Sequence, residues 1–177
     1  MNTPPYPVML NLGGRPCLVV GDGREAEPKV RELEAAGARV TWLRRPWQPG
    51  DLAGYFLAIA ADDDRSHNAA IHAEALRCNV LFNALDDPPH CQFYFPSVHR
   101  QGDLVIAVST NGKCPALAVR IKERLAAQYG PEYAKFLTLA ASLRQKIAAA
   151  FPQFETRKRV WYALVDAIRL ERTQTHA

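Results

Sequence analysis

The sequence predicts an α/β fold built on a parallel sheet and followed by an all-helical region, and three observations carry that reading. Five short apolar runs, at residues 17–20, 40–43, 56–60, 80–83 and 105–108, have the length and β-branched content of buried strands. Helical periodicity lies between several of them, which is the order of a sheet covered by helices. After Gly112 the period turns helical and stays so. With 177 residues and 48% hydrophobic content, the chain can bury a sizeable core.

The first apolar run leads directly into Gly21-Asp22-Gly23-Arg24-Glu25-Ala26 and then a helical pattern in which Ala26, Val30 and Leu33 share one face and Gly37 ends the segment. Strand, GxGxxA and helix in direct succession form the context of a dinucleotide loop, so the sheet is expected to be Rossmann-like. The first glycine permits the tight turn, the second admits a pyrophosphate to the backbone, and the small third residue lets helix pack on strand. Free N–H groups and the positive end of the helix dipole then face the phosphates. Gly21, Asp22, Gly23, Arg24 and Glu25 are the candidate cofactor-binding residues; the competing reading is a purely structural strand-to-helix turn. Pro28 is tolerated because the first helical N–H groups have no partner within the helix, provided the N-cap is near Arg24.

The second run ends at Leu43 and is followed by Arg44, Arg45, Pro46 and Trp47, where an acidic ribose acceptor would be expected about 20 residues after the loop. Arg44 joins the cofactor candidates because an arginine there suits a 2′-phosphate; the alternative is that both arginines simply face water. Residues 65–77 form a second helical candidate with His72 near its middle. Beyond Gly112, three helices are marked by Leu117, Ile121 and Leu125, by Phe136, Ala140, Leu143 and Ile147, and by Trp161, Leu164, Val165 and Ile168, with breaks at Gly130-Pro131 and Phe151-Pro152. Their apolar stripes are expected to bury on each other or on a second chain.

Charge divides unevenly. Through Gly112 there are 10 Lys/Arg against 13 Asp/Glu, and from Lys113 onward 12 against 5, so an anion belongs with the second half. Solvated helix faces explain the same charges without a ligand. The basic residues alternate with core positions and no aromatic recognition motif accompanies them, so no nucleic-acid partner is expected. No apolar run approaches the ~20 residues of a membrane span. The start MNTPPYPVML lacks a basic leader region, which suggests no membrane partner and a cytoplasmic protein. Cys17, Cys78, Cys91 and Cys114 lie far apart without a CxxC pair, so neither zinc knuckle nor disulfide framework is expected.

Four stretches in register, LNLGGRPCLVVGDGREAEPKV, YFLAIAADDD, NALDDPPHCQFYFPSV and VIAVSTNGKCPALAVRIKERL, resemble the dehydrogenase and ferrochelatase module of siroheme synthase, the precorrin-2 dehydrogenase family. The resemblance runs over most of the chain. It implies NAD-dependent oxidation of precorrin-2 to sirohydrochlorin, in some members followed by insertion of ferrous iron as substrate, and a homodimer. NADP is the alternative cofactor. The implied division is a nucleotide-binding domain at residues 1–112 and a helical region for dimerisation and tetrapyrrole binding at 113–177.

By position, Asp86 matches the aspartate that the family uses in dehydrogenation and metal insertion. A carboxylate there can take a proton as hydride leaves, while the bland account of Asp86-Asp87-Pro88-Pro89 is a turn with a side-chain cap. Ser109, Thr110, Asn111, Gly112 and Lys113 precede a helix that Pro115 can open, a place for carboxylates. With Arg120, and Lys122 or Arg124 beside it, they are the candidate substrate-binding residues. His90 and Cys91 fall short of a metal site, and no metal ligands are assigned.

The sequence also departs from the family. A further loop, helix and strand are missing after Leu43, and a full helix does not fit in residues 44–54 although extended chain can cross the sheet. Asp22 stands between the two glycines. A metal chelatase that does not use NAD, and a non-catalytic tetrapyrrole-binding protein, therefore stay open beside the dehydrogenase.

Overall fold

The computed structural model describes residues 5–174. The chain divides into two compact units, Met1–Tyr94 and Phe95–Ala177.

The first unit is built on four parallel strands, β1 (Pro16–Val20), β2 (Arg39–Leu43), β3 (Leu57–Ala60) and β4 (Leu81–Ala84), in the spatial order β2-β1-β3-β4. Period-2 alternation sends Leu18, Val20, Ala58, Ala60, Phe82 and Ala84 to one face and Cys17, Val19, Leu57 and Ile59 to the other. Helix α1 (Ala26–Ala35) covers the second face with Ala26, Val30 and Leu33, the three positions that the helical period picks out. Its N-cap is Glu25, so Pro28 sits in the first turn, where no intrahelical hydrogen bond is lost. Helix α2 (Asn68–Cys78) covers the first face through Ile71 and Ala75.

One strand differs from expectation. β2 is an edge strand whose residues are half-buried or exposed, because only β1 borders it and no further strand follows on its outer side.

The shortened connection from β2 to β3 crosses β1 without a helix. In place of one, Leu52 is fully buried in the first-face core, with Trp47 and Tyr55 packed against it. Burial of such a leucine contributes about 2 kcal/mol toward ordering the segment. The main chain is held by Glu74 of α2, itself 3% exposed: its carboxylate accepts the Gly50 N–H at 3.1 Å and the Leu52 N–H at 3.0 Å. Arg45 and Asp51 close the segment with a two-pronged ion pair at 2.8 Å for each contact, and Asp51 also accepts the Gln48 N–H. The Arg45 hydrogen bond holds the Asp51 carboxyl below its ordinary range.

In the second unit, β5 (Ser97–Gln101) and β6 (Leu104–Val108) form an antiparallel hairpin around Gly102, whose φ is +56°. The apolar run at residues 105–108 therefore pairs within this hairpin and not in the parallel sheet. Its partner SVHRQ is polar, and its inward side chain is a histidine, which hides the strand from a hydrophobic pattern. His99 is buried, with Nε2 2.7 Å from the Tyr129 carbonyl oxygen. Helices α3 (Pro115–Gln128) and α4 (Pro131–Ala150) pack on the hairpin, and α5 (Phe154–Gln174) packs on α4. Among the described apolar side chains of this unit only Ala118 and Ile147 are buried; Leu117, Leu139, Phe154 and Tyr162 are each at least half exposed.

Candidate functional site

The carboxyl ends of β1, β3 and β4 lie at one edge of the sheet, which is where open α/β sheets bind ligands. The loop after β1 is packed tightly against the loop after β3. Gly21 has φ +102°, and a Cβ there would come within 2.7 Å of the Asp62 nitrogen. A Cβ on Gly23 would collide with the Ala61 carbonyl oxygen, which accepts the Gly23 N–H at 3.0 Å. Both glycines are thus required by protein contacts before any ligand is considered. Gly23→Ala is expected to cost about 1–3 kcal/mol through overpacking and a lost hydrogen bond, and to weaken dinucleotide binding with it. Thermal melting beside a binding titration reads both, and an unchanged midpoint would refute the close-packing account.

Trp42 of β2 completes the loop by donating its Nε1–H to the Gly21 carbonyl at 2.8 Å, and the Arg44 guanidinium stacks over the Trp42 ring at 3.7 Å. A cleft of about 220 Å³ opens beside this loop, lined by Asp22, Gly23, Arg44, Arg45, Pro46, Asp62 and Asp63. Three of the six expected cofactor residues, Asp22, Gly23 and Arg44, therefore line it. Gly21 shapes the turn behind them. Arg24 and Glu25 pair with each other at the surface, 3.4 Å apart, at the start of α1.

The volume falls short of the ~300 Å³ at which pockets for a whole organic ligand begin, so the cleft matches one part of a dinucleotide. Arg44 is a group there that suits a diphosphate, and Asp22, Asp62 and Asp63 line the same cleft with the acidic groups that the end of β2 lacks.

The turn after β4 separates the two adjacent aspartates. Asp87 braces the turn through side chains: its Oδ2 accepts the Asn68 Nδ2–H at 2.9 Å and lies 2.7 Å from His90 Nδ1. The Asn68 hydrogen bond, then that to His90, holds the Asp87 carboxyl below its ordinary range. Cys91 is equally occupied, its thiol donating to the Ala84 and Asp87 carbonyls, and burial pushes its pKa up. Asp86, by contrast, has φ +56° and a side chain 84% exposed. Aspartate is among the non-glycine residues that adopt the left-handed region most readily, and here it sits inside the turn that the Asp87 N–H closes on the Ala84 carbonyl.

The loop before α3 belongs to the second unit. The Ser109 hydroxyl accepts the Asn111 N–H and the Thr110 hydroxyl accepts the Cys114 N–H, while Asn111 and Gly112 both have positive φ. Cys114 is the N-cap and Pro115 opens the helix. Lys113 is exposed, and Arg120 pairs with Glu123 of its own helix at 2.9 Å. Among the described residues, no group of three or more His, Cys, Asp or Glu is placed to hold a metal ion, and no helix is long and apolar enough to cross a membrane.

Sequence reasoning did not single out Glu74, Trp42, Asp62 or Arg65. Each acts on residues distant in the chain, and only the Asp62-Asp63-Asp64 string gave a visible signal.

Comparison with known proteins gives three adjoining matches. Residues 8–46 and 41–97 match a family described as putative NAD(P)-binding, residues 101–128 the sirohaem biosynthesis protein central region, and residues 132–175 the sirohaem synthase dimerisation region. Siroheme synthase 3 of Aeromonas hydrophila is 33% identical over 93% of this chain and 39% of its own length. Siroheme synthase 1 of Pectobacterium atrosepticum is 34% identical over 89% of this chain and 37% of its own. The chain thus spans about two fifths of these relatives. Among solved structures, SirC, precorrin-2 dehydrogenase, superposes with a TM-score of 0.71 at 25% identity, covering 93% of this chain and 92% of that one.

Proposed function

Since the chain belongs to the siroheme synthase family, carrying its central and dimerisation regions behind a putative NAD(P)-binding region, we propose that it oxidises precorrin-2 to sirohydrochlorin. The observation that carries this reading is that the glycine-loop cleft and the exposed Asp86 carboxylate stand at the same carboxyl edge of one parallel sheet.

Nicotinamide, when bound, supplies the hydride acceptor. Everything else falls to the chain's own residues. The start of α1 and Arg44 hold the diphosphate end, and Asp22, Asp62 and Asp63 present carboxylates to ribose hydroxyls. Three carboxylates beside the single unpaired guanidinium of that cleft repel a 2′-phosphate, so NAD is favoured over NADP. Asp86 takes the proton released from the tetrapyrrole as hydride departs and, being exposed, passes it to water. The same carboxylate is placed to accept pyrrole protons if ferrous iron enters as substrate.

Substrate carboxylates are assigned to the Ser109–Lys113 loop, with Arg120 available only on giving up Glu123. The half-exposed Leu139, Phe154 and Tyr162, within or beside the region matched to the dimerisation model, support a second copy of this chain as the partner. Purified protein with precorrin-2 should generate NADH absorbance faster with NAD than NADP supports the corresponding reduction, and should sediment as a dimer. No dinucleotide reduction with either cofactor would refute the proposal.

A further inference from the structure

The loop between β3 and α2 touches both halves of the site. At its start, the Ala61 carbonyl and the Asp62 main chain are packed under Gly23 and Gly21. At Arg65 it reaches the turn after β4: Nη1 donates to the Asp86 carbonyl oxygen at 2.8 Å, and Nη2 stands 3.7 Å from Asp86 Oδ2. The far side of that turn is fixed separately, through Asp87 to Asn68 and His90.

We infer that Arg65 is the positioning residue of Asp86, holding its left-handed peptide and its carboxylate in place and tying them to the loop that floors the dinucleotide cleft. The inference rests on the reading of Asp86 as the proton acceptor. The turn is closed by the Asp87 N–H on the Ala84 carbonyl at 3.2 Å, and the Arg65 hydrogen bond adds a restraint on the Asp86 carbonyl from outside it. The second nitrogen, 3.7 Å from Oδ2, draws the carboxylate toward the guanidinium and so orients it. Both side chains are more than half exposed, so solvent screens this attraction and the carbonyl contact carries the larger share.

The test uses the full chain and precorrin-2 oxidation with NAD. Arg65→Gln is expected to lower kcat on the order of 10-fold with KM for NAD within about twofold. Arg65→Lys should restore only part of kcat, because an ammonium keeps the charge and loses the fork. Arg65→Gln combined with Asp86→Asn should be no slower than Asp86→Asn alone. Unchanged kcat in both Arg65 variants, or fully multiplying losses in the double variant, would overturn the inference. Full turnover in Asp86→Asn would instead remove the reading beneath it, and that result needs no Arg65 variant. Should Arg65→Gln fail to fold, Arg65→Lys alone still decides through kcat.

Discussion

Asp86→Asn should lower the turnover number for precorrin-2 oxidation by on the order of 10²-fold or more while leaving the melting temperature and the affinity for NAD unchanged. Asparagine has the same shape and tolerates the left-handed conformation at φ +56°. Its carbonyl still receives Arg65, and the neighbouring Asp87–Asn68 hydrogen bond remains intact. What disappears is a carboxylate that makes no hydrogen bond supporting the fold. A loss of turnover without loss of stability therefore isolates proton acceptance. The contrasting variant is Asp87→Ala, which removes the acceptor for Asn68 and His90 and should destabilise the turn. If Asp86→Asn retains turnover within about threefold, the acid–base assignment is wrong.

Glu74→Ala should destabilise the first unit by about 3 kcal/mol, a fall in melting temperature on the order of 10 °C. The carboxylate is 3% exposed and accepts N–H groups from Gly50 and Leu52, so its removal strands two donors beneath the crossover. Hydrogen bonds to a charged acceptor are worth more than neutral ones, and the N–H of the fully buried Leu52 is left without its partner. Glu74→Gln keeps one acceptor oxygen and should lose less than the alanine variant. The crossover carries Arg44, Arg45 and Pro46 of the cleft, so NAD binding should weaken in the same order. Calorimetric melting of the three proteins, with NAD titrations, checks both effects, and equal midpoints would refute a structural role for the carboxylate.

The two aspartates show how far the sequence reached into the site. The string Asp86-Asp87-Pro88-Pro89 is consistent with a capped turn and with a proton acceptor. Asp87 is engaged by the side chains of Asn68 and His90, while Asp86 is exposed beside Arg65. The glycine loop is similar. GxGxxA identified a strand-to-helix turn and a helix start, but Gly21 and Gly23 prove to be demanded by Asp62 and Ala61, forty residues or so along the chain. The hairpin strand Ser97–Gln101 escaped because its inward residue is the polar His99, satisfied by the distant Tyr129 carbonyl.

By itself the sequence determined the parallel strands with their covering helices, the glycine turn and the late start of α1, because these follow from period, backbone conformation and residues adjacent in the chain. Only the tertiary structure decided that a helix-free crossover holds to the sheet through Leu52 and Glu74, that Arg44 stacks on Trp42 at the cleft, and that Arg65 reaches Asp86. Those contacts join residues far apart in sequence. Their energies depend on burial and distance, which no local pattern encodes.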